Sequence, residues 1–580
     1  MHFIKIYSRQ EIIPYLPFIQ QSKTLAVDTE TTGLDPHNDK LRLIQIAIHE
    51  HPVLVIDCFA FLPDGIDVLK EILESRSVKI FQNAKFDLQF FMAIGIYPAP
   101  IFDTMLAGQL LRSSGGASRA NLDALARHYL DEPVHKDEQK SDWSGELSEN
   151  QFIYAAKDAD ILLRLREVMV QKIYEHNLST IALIEFSCVI AIAQIEYTGI
   201  SLDVPQWNIL LAETVQKRDD VLNILYTYTG QPIIQMSLFG DDVVVGHNFD
   251  SNAFVLKLLK SNGIHVGSTS RQDLAPYIKH PLVLALSSYR KAAKALSSFL
   301  YPIPSAIHSK TGRLHPRYVQ IGSWSGRMSC SNPNIQQIPR AEAFRSCFVA
   351  APGYKLIVAD YSQIELRVAA DMTGDKRMIR AYQNGEDLHQ LTASLMLGKP
   401  ADSITVQERQ AAKAVNFGLI YAMGVAGLKQ YALQSYGVEM TMEQADEFRN
   451  RFFKAYTGIA NWHNRLKKSP PIESRSLAGR KFTFSEKAGL AGFCNTPVQG
   501  TAADIAKKAL GLLIPRFKGT DIRIIGIVHD EILLEALACD AVYAADMLKS
   551  TMEQAGNSIL VHVPCQADVN IASNWSKKTD

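Results

Sequence analysis

Apolar residues in the first third of the chain fall in short runs, at residues 25–27, 41–48, 53–56 and 79–81, with amphipathic stretches between them. Runs of that length predict strands, and their alternation with helical periodicity predicts an α/β domain over about residues 25–111. Past residue 180 the pattern changes. Residues 180–299 carry a helical period broken by a polar stretch with Gly and Asp at 239–251, which predicts an extended helical arm. Strand-like runs return at 345–370 and 521–535 and flank residues 376–468, which read as mostly helix. The division between the two halves is expected near residues 172–180, and no internal repeat or low-complexity tract is present.

A length of 580 residues accommodates three to four domains at roughly 150 residues each. With 47% hydrophobic and 21% charged residues the composition is that of a folded chain. Lys plus Arg equals Asp plus Glu, 60 against 60, so net charge argues neither for nor against nucleic acid. The seven cysteines are scattered and never form C-x-x-C, which suggests neither a disulfide framework nor a zinc knuckle and fits a reducing compartment. Residues 1–17 carry charges and prolines where a signal peptide has an apolar core, so export is not expected. The most apolar stretch, 181–195, is interrupted by Glu185 and Gln194 and falls short of the roughly 20 residues of a membrane span. It predicts a buried helix.

Candidate chemistry begins at residues 25–31, LAVDTET, where Asp28 and Glu30 lie two apart at the end of a strand and point to one face. Asn83-Ala-Lys-Phe-Asp87 supplies a third carboxylate, and Tyr154-Ala-Ala-Lys-Asp158 places a phenol and a fourth carboxylate one helical turn apart. Singly, each has a plain structural reading: Asp87 as a solvated helix residue, Asp158 as a partner of Lys157 or Arg164. Together, four anionic groups repel unless divalent cations neutralise them, and such sites suit Mg²⁺ or Mn²⁺. Two such ions about 4 Å apart activate a water and stabilise the leaving oxygen of a phosphodiester, with Tyr154 placed to orient the water. The set D-x-E, N-x-x-x-D and Y-x-x-x-D resembles the tyrosine-containing form of the DEDD exonuclease superfamily, over about residues 20–175.

A second set of acids follows. Residues 355–360, KLIVAD, read as an apolar strand ending on Asp360, and residues 522–528 and 531–535 read as two strands joined at His529-Asp530. Asp530 alone is a plain turn-former; if the hairpin lies beside the first strand, two acids meet. Between them Arg409, Lys413, Phe417 and Tyr421 recur every four residues, so on a helix they wind slowly round one side. Two cations followed by two aromatics suit the phosphates, sugar and base of a nucleoside triphosphate. The chain has no G-x-x-x-x-G-K-[ST] loop for that task. An amphipathic helix with solvated cations and core aromatics is the alternative.

Asp360-Tyr-Ser-Gln-Ile-Glu-Leu-Arg367, the Arg409 to Tyr421 stripe and Val528-His-Asp-Glu531 resemble, in order, the three polymerase motifs of the bacterial DNA polymerase I family, family A. Residues 325–329 (SGRMS), 333–339 (PNIQQIP) and 499–504 (QGTAAD) resemble further family segments, and the likeness runs over about residues 196–575. It implies an α/β architecture: a ribonuclease H-like 3′ to 5′ exonuclease domain at 1–175 joined to a right-hand polymerase. The thumb is expected at 180–318, the palm at 319–385 and 511–580, and the fingers at 386–510. By the same likeness Asp360 and Asp530 hold two Mg²⁺ ions, with Glu531 in support. Two more ions sit on Asp28, Glu30, Asp87 and Asp158, and Mn²⁺ is able to substitute. Lys413, Arg409 and His389 meet the triphosphate, and Gln363 and Arg327 the primer or nucleotide. Glu365 lies against the sugar C2′ and disfavours ribonucleotides, Phe417 faces the sugar, and Tyr421 guards the templating position. Asn334, Gln336, Asn495, Gln499 and His529 join Arg327 as DNA contacts.

The family usually has Arg where this chain has Ala491, Gln at Ile527, Gly at Ala422 and Asn at Gln337. The first two departures remove polar groups expected near primer or template. The implied activity is primer extension with proofreading, without a 5′ nuclease, because residue 28 already carries the first exonuclease ligand. The implied partners are primer-template DNA, deoxynucleoside triphosphates and processivity or replisome proteins. No membrane is expected, and the chain is expected to be monomeric in a bacterial or phage-infected cytoplasm or in an organelle.

Overall fold

The computed structural model describes residues 2–112, 120–134, 138, 141–230, 233–236, 242–245 and 247–576. Its first domain is a six-stranded mixed sheet in the order Phe3–Ile6, Val53–Asp57, Leu41–Ala47, Thr24–Thr31, Val78–Phe81, Ile101–Asp103. Every residue of Leu41–Ala47 and Val53–Asp57 is buried. Such unbroken burial needs cover on both faces of the sheet. Helix Glu149–Glu175 packs across Thr24–Thr31, Leu41–Ala47 and Val53–Asp57. It begins at a capping box in which Ser148 and Gln151 satisfy each other's backbone amides.

The second half is built on a four-stranded antiparallel sheet, Arg523–Val528, Glu531–Leu537, Tyr354–Tyr361, Ala567–Ala572. Arg523–Val528 and Glu531–Leu537 form the expected hairpin, turning on His529 with φ 61°. Two-residue hairpin turns demand left-handed backbone of this kind. Between the sheet strands lie helices Lys376–Gln383, Leu388–Leu397, Val406–Ile420, Val425–Tyr436, Met442–Ala455 and Thr457–Lys468, in agreement with the helical reading of 376–468.

Two boundaries sit differently from expectation. The helical arm was expected from residue 180, but helix Ser179–Thr198 lies between the domains. Its Ile181, Ile184, Phe186 and Val189 enter the core of the first domain, and Cys188, Ala191, Ile192 and Ile195 enter the core of the second. A helix apolar on every side must be buried on every side. At 20 residues and a mean hydropathy of 1.6 it is long and apolar enough to cross a membrane, more than the run at 181–195 suggested; here it serves as a core helix. The arm proper starts at Val204–Thr229, which packs on Pro281–Ala295 around a separate small core that includes Leu225, Phe249, Leu259 and Leu286. The second difference concerns residue 510, expected to end the fingers. It falls inside the helix Leu490–Arg516, which packs along Ser179–Thr198 and Ala541–Asn557.

A buried charge network locks these helices together. Glu185 is fully buried on Ser179–Thr198 and accepts from Lys507 Nζ at 2.6 Å and from Arg480. Arg480 Nε also donates to Asp504 at 2.8 Å, and Ser476 Oγ donates to the other Asp504 oxygen at 2.6 Å. Gln320 Nε2 closes the set on the Glu185 carbonyl at 2.8 Å. Burial alone would raise the Glu185 pKa, but Lys507 and Arg480 outweigh it and hold the carboxyl below its ordinary value. Two anions and two cations leave the network neutral.

Glu185→Ala strands Lys507 while Arg480 keeps Asp504, and breaking a buried pair on one side costs about 3–5 kcal/mol. Denaturant midpoints are expected to fall accordingly for Glu185→Ala and to recover much of the loss in Glu185→Leu/Lys507→Met, where no buried charge is left unpaired. Equal losses in the two variants would remove the network from the account of stability.

Candidate active sites

The acids of the first domain converge as strand alternation requires. One ligand oxygen from each of Asp28, Glu30 and Asp158 lies within 4.8 Å of the others. Asp28 and Glu30 project from Thr24–Thr31, and Asp158 from the covering helix Glu149–Glu175. Asp87, in the first turn of helix Lys85–Ala93, stands beside this trio and accepts from Thr29 Oγ1 at 2.6 Å. Burial, then Asp87, Asp158 and Glu30, raise the Asp28 pKa well above the carboxylate range. Glu30 is raised by burial, Asp158 and Asp87, and burial pushes Asp87 up to about 7. The Tyr154 hydroxyl bonds to Asp158, and burial followed by the acid's charge holds the phenol protonated. Mutually repelling carboxylates with converging oxygens fit divalent cations.

Asp28, Asp158 and Tyr154 open onto a cavity of about 590 Å³ whose far wall belongs to the second half of the chain, through Tyr318, Val319 and Gln320. Lys85 and Asn83 line it from the first domain. None of these wall residues was singled out beforehand except Asn83 as part of a motif. Tyr318 and Gln320 had no signal, because the contact spans two domains.

In the second half the hairpin does lie beside the strand: Asp360 is the register partner of Glu531, and Asp530 at the turn is its neighbour. Burial, then Asp360, push the Asp530 carboxyl up to about 7. Both acids face a cavity of about 520 Å³ together with Arg327, Gln363, Glu365, His389, Arg409, Lys413, Phe417 and His529. Arg340, Tyr431 and Tyr436 also line it. Arg340 directly follows a family-like segment, which was the only available hint. The two tyrosines fit no period.

Three candidates form one cluster. Glu365 accepts from Arg327 through one oxygen and from the Tyr421 hydroxyl through the other. Tyr421, the C-cap of helix Val406–Ile420, thus leaves the stripe of Arg409, Lys413 and Phe417 and turns to Glu365. Arg409 is held by Asp387, at 2.9 Å through Nε and 2.6 Å through Nη2. Lys413 Nζ stands 6.0 Å from the Tyr436 ring centroid. His389 takes a hydrogen bond at Nδ1 from Asn416 at 2.9 Å, and burial lowers its pKa to about 4, so the ring is neutral near pH 7. With Nδ1 accepting, the proton belongs on Nε2.

Glu531 is directed elsewhere. Its carboxylate is buried against Arg345 Nη1 at 3.1 Å and Trp575 Nε1 at 2.6 Å, and it is absent from the cavity lining. The Arg345 guanidinium and the Trp575 N–H hold it there, so it is committed to them. Asn334 lines a different cavity, between the two halves, and Gln336 lines a small pocket beside Arg327 and His529. Asn495 and Gln499 are half-buried one turn apart on Leu490–Arg516, and Asn495 Oδ1 has no partner among the described residues. Of the departures, Ala491 and Gln337 are exposed and Ile527 is core. Ala422 sits at φ 60°, where an L side chain costs about 1–2 kcal/mol and Gly costs none.

Residues 252–577 match the family model described as DNA polymerase family A, and residues 4–174 match that of a 3′-5′ exonuclease. The chain is 34% identical to DNA polymerase I of Aquifex aeolicus, over 96% of this chain and 97% of that one. It is 30% identical to DNA polymerase I of Pseudomonas aeruginosa, over 97% of this chain and 64% of the relative. In fold it is similar to the POL domain of Pol1 from M. smegmatis in complex with DNA primer-template and dNTP. That match has a TM-score of 0.81 and 23% identity and covers 99% of each chain.

Because the folded protein holds protons on Asp28, Glu30 and Asp87 more tightly than the unfolded chain does, its metal-free stability falls as pH rises from about 4 through about 7. Mn²⁺ is expected to abolish that decline. Asp28→Asn is expected to raise the melting temperature in EDTA at pH 8 and to lose most of the Mn²⁺-induced gain. Melting curves at pH 5 and pH 8, with EDTA or Mn²⁺, read both; a variant less stable than the parent in EDTA at pH 8 contradicts the repulsion argument.

Proposed function

The chain belongs to DNA polymerase family A, with a 3′-5′ exonuclease domain ahead of the polymerase domain; from that footing we propose how its two sites share the work on one primer end. It is a DNA-directed DNA polymerase with exonuclease activity. The substrates we assign to it are primer-template DNA and deoxynucleoside triphosphates. The observation that carries the reading is that two separate acid clusters, on different domains, each face a cavity of their own.

Asp360 and Asp530 would hold Mg²⁺ in the polymerase site, and Asp28, Glu30 and Asp158, with Asp87 beside them, in the exonuclease site. Bound there, such ions activate the attacking oxygen and stabilise the leaving one. The side chains do the rest. Lys413 meets the triphosphate and is placed to give a proton to the departing pyrophosphate. His389 offers a neutral Nε2–H donor, so it orients a phosphate oxygen without adding charge. Arg409 binds phosphate while Asp387 keeps its guanidinium in register. Glu365, gripped by Arg327 and Tyr421, is unable to swing aside for a ribose 2′-hydroxyl. In the other site Tyr154 stays protonated, so it orients the attacking water as a hydrogen-bond donor and leaves deprotonation to others.

The sites are expected to fail separately. Asp28→Ala abolishes 3′ to 5′ degradation and preserves primer extension, and Asp530→Asn does the reverse, in gel assays on one labelled primer. Loss of both activities from either change in a folded protein defeats the two-site reading. In an Asp28→Ala background, Phe417→Tyr is expected to reduce discrimination against dideoxynucleotides sharply, because it supplies the hydroxyl that the missing 3′-OH leaves unreplaced. The ratio of incorporation efficiencies for the two nucleotides decides it, and an unchanged ratio removes Phe417 from the sugar.

A further inference from the structure

The strand Leu41–Ala47 reads LRLIQIA, and Gln45 is its one amide. Gln45 is fully buried, and among the described residues neither its Nε2 nor its Oε1 has a hydrogen-bond partner. A methionine or leucine would fill the same space, and an orphaned buried amide carries its whole desolvation penalty. Packing alone therefore gives no reason for a glutamine. Native proteins seldom leave such a group unused, and an unexplained one points to an ion or to water held by it.

Its position in the sheet supplies the use. Gln45 is the register partner of Asp28, and Leu43 that of Glu30. Directly opposed residues on neighbouring antiparallel strands project to the same face with Cβ atoms about 4.5–5.5 Å apart. That face is the one covered by helix Glu149–Glu175, from which Tyr154 and Asp158 reach the cluster. Arg42, one position out of phase at the head of the strand, pairs with Asp57 and stacks on Phe59 instead. The amide of Gln45 is thus set beside the first ligand of the acid cluster, inside the protein and away from the open side of the cavity, whose lining does not include it.

We propose that Gln45 is a positioning residue of the exonuclease: its buried amide fixes the Asp28 carboxylate, directly or through a cation-bound water, when a divalent cation is in place. The inference rests on reading the acid cluster as a cation site. Nε2 would donate to an Asp28 carboxylate oxygen, and Oε1 would accept from a water. Outer partners of this kind orient a ligand and typically change metal affinity about 10–100-fold when removed. The glutamine would thereby act on the cation and never touch the DNA.

Gln45→Met separates this role from a structural one. Mn²⁺ binding is measured by calorimetry on the full chain in an Asp530→Asn background, which silences the polymerase site, with Asp28→Asn as the reference for lost binding. Affinity at the remaining site is expected to fall at least tenfold, while the melting temperature in EDTA stays level or rises, since an orphaned polar group has been removed. The Mn²⁺ concentration for half-maximal degradation of single-stranded DNA, measured with the polymerase acids intact, is expected to rise in step, with the rate at saturating Mn²⁺ largely restored. Unchanged Mn²⁺ affinity, or a clear loss of stability in EDTA, overturns the proposal and makes Gln45 a core residue. If the Asp530→Asn parent itself binds no more Mn²⁺ than the Asp28→Asn reference, the cation site fails, and the inference falls with it for that separate reason.

Discussion

Both active sites depend on the charge of one buried glutamate. Glu185 sits in the middle of a helix whose other buried residues are almost all apolar, and such a helix by itself has no preferred rotation or depth between two greasy cores. Its ion pairs with Lys507 and Arg480 supply both. A carboxylate displaced from two buried cations leaves charges unpaired at a cost of about 3–5 kcal/mol, so these ion pairs oppose any slide or rotation of the helix. The constraint reaches outward at once. Arg480 closes on Gly326, where a Cβ would lie 2.6 Å from its Nε, and so pins the loop that carries Arg327. Gln320, bound to the Glu185 carbonyl, is a wall residue of the exonuclease cavity. A single network therefore sets the height of one site and the edge of the other.

A second seam works by different means. Glu196, near the end of the same helix, accepts from Lys85 Nζ at 2.7 Å, from Gln89 Nε2 at 3.0 Å and from the Tyr318 backbone amide at 2.6 Å. Lys85 opens the helix that bears Asp87, so a strand of the polymerase half is tied within one turn of an exonuclease acid. Nearby, the rings of His37, His308 and His315 lie 4.6 to 5.6 Å apart. Burial lowers the pKa values of His37 and His315, the latter to about 4, which lets these two rings pack as neutral aromatics. The domains meet over a cavity of about 1340 Å³ with Asn83 and Lys85 on its exonuclease wall and Asn334 on the opposite one. Asn83 and Lys85 also line the exonuclease cavity, so the two spaces share a wall.

The parts legible in the sequence are those that local geometry dictates. Asp28 and Glu30 share a face because strand side chains alternate, and Asp530 stands at a hairpin tip because two residues join its strands, whereas its meeting with Asp360 depends on the pairing of Glu531–Leu537 with Tyr354–Tyr361. The stripe of Arg409, Lys413 and Phe417 follows from the helical period, and it ends where the helix ends, so Tyr421 escapes it. What stayed hidden are partners that only tertiary packing chooses. Nothing in the neighbourhood of Arg409 announces Asp387, and nothing near Glu531 announces Arg345 and Trp575. Helix Ser179–Thr198 was readable as buried, but a single sequence does not say that it is buried twice, once by each domain.

The two sites solve opposite electrostatic problems, and their side chains differ accordingly. The exonuclease cluster brings Asp28, Glu30 and Asp158 within 4.8 Å of one another with Asp87 beside them, so their mutual repulsion favours divalent cations. Its substrate end is a single phosphodiester, and a water must be admitted. The polymerase cavity sets its acid pair among Arg327, Arg340, Arg409 and Lys413, which matches a ligand arriving with a triphosphate. There the cations must grip without neutralising the acids, and the structure keeps them apart by giving Arg327 to Glu365 and Arg409 to Asp387. Those pairings are partly exposed, so each arginine has room to meet a phosphate while it keeps its carboxylate. Asp360 and Asp530 stand side by side in a half-buried corner, where burial and then the charge of Asp360 raise the Asp530 pKa, and a divalent cation relieves both.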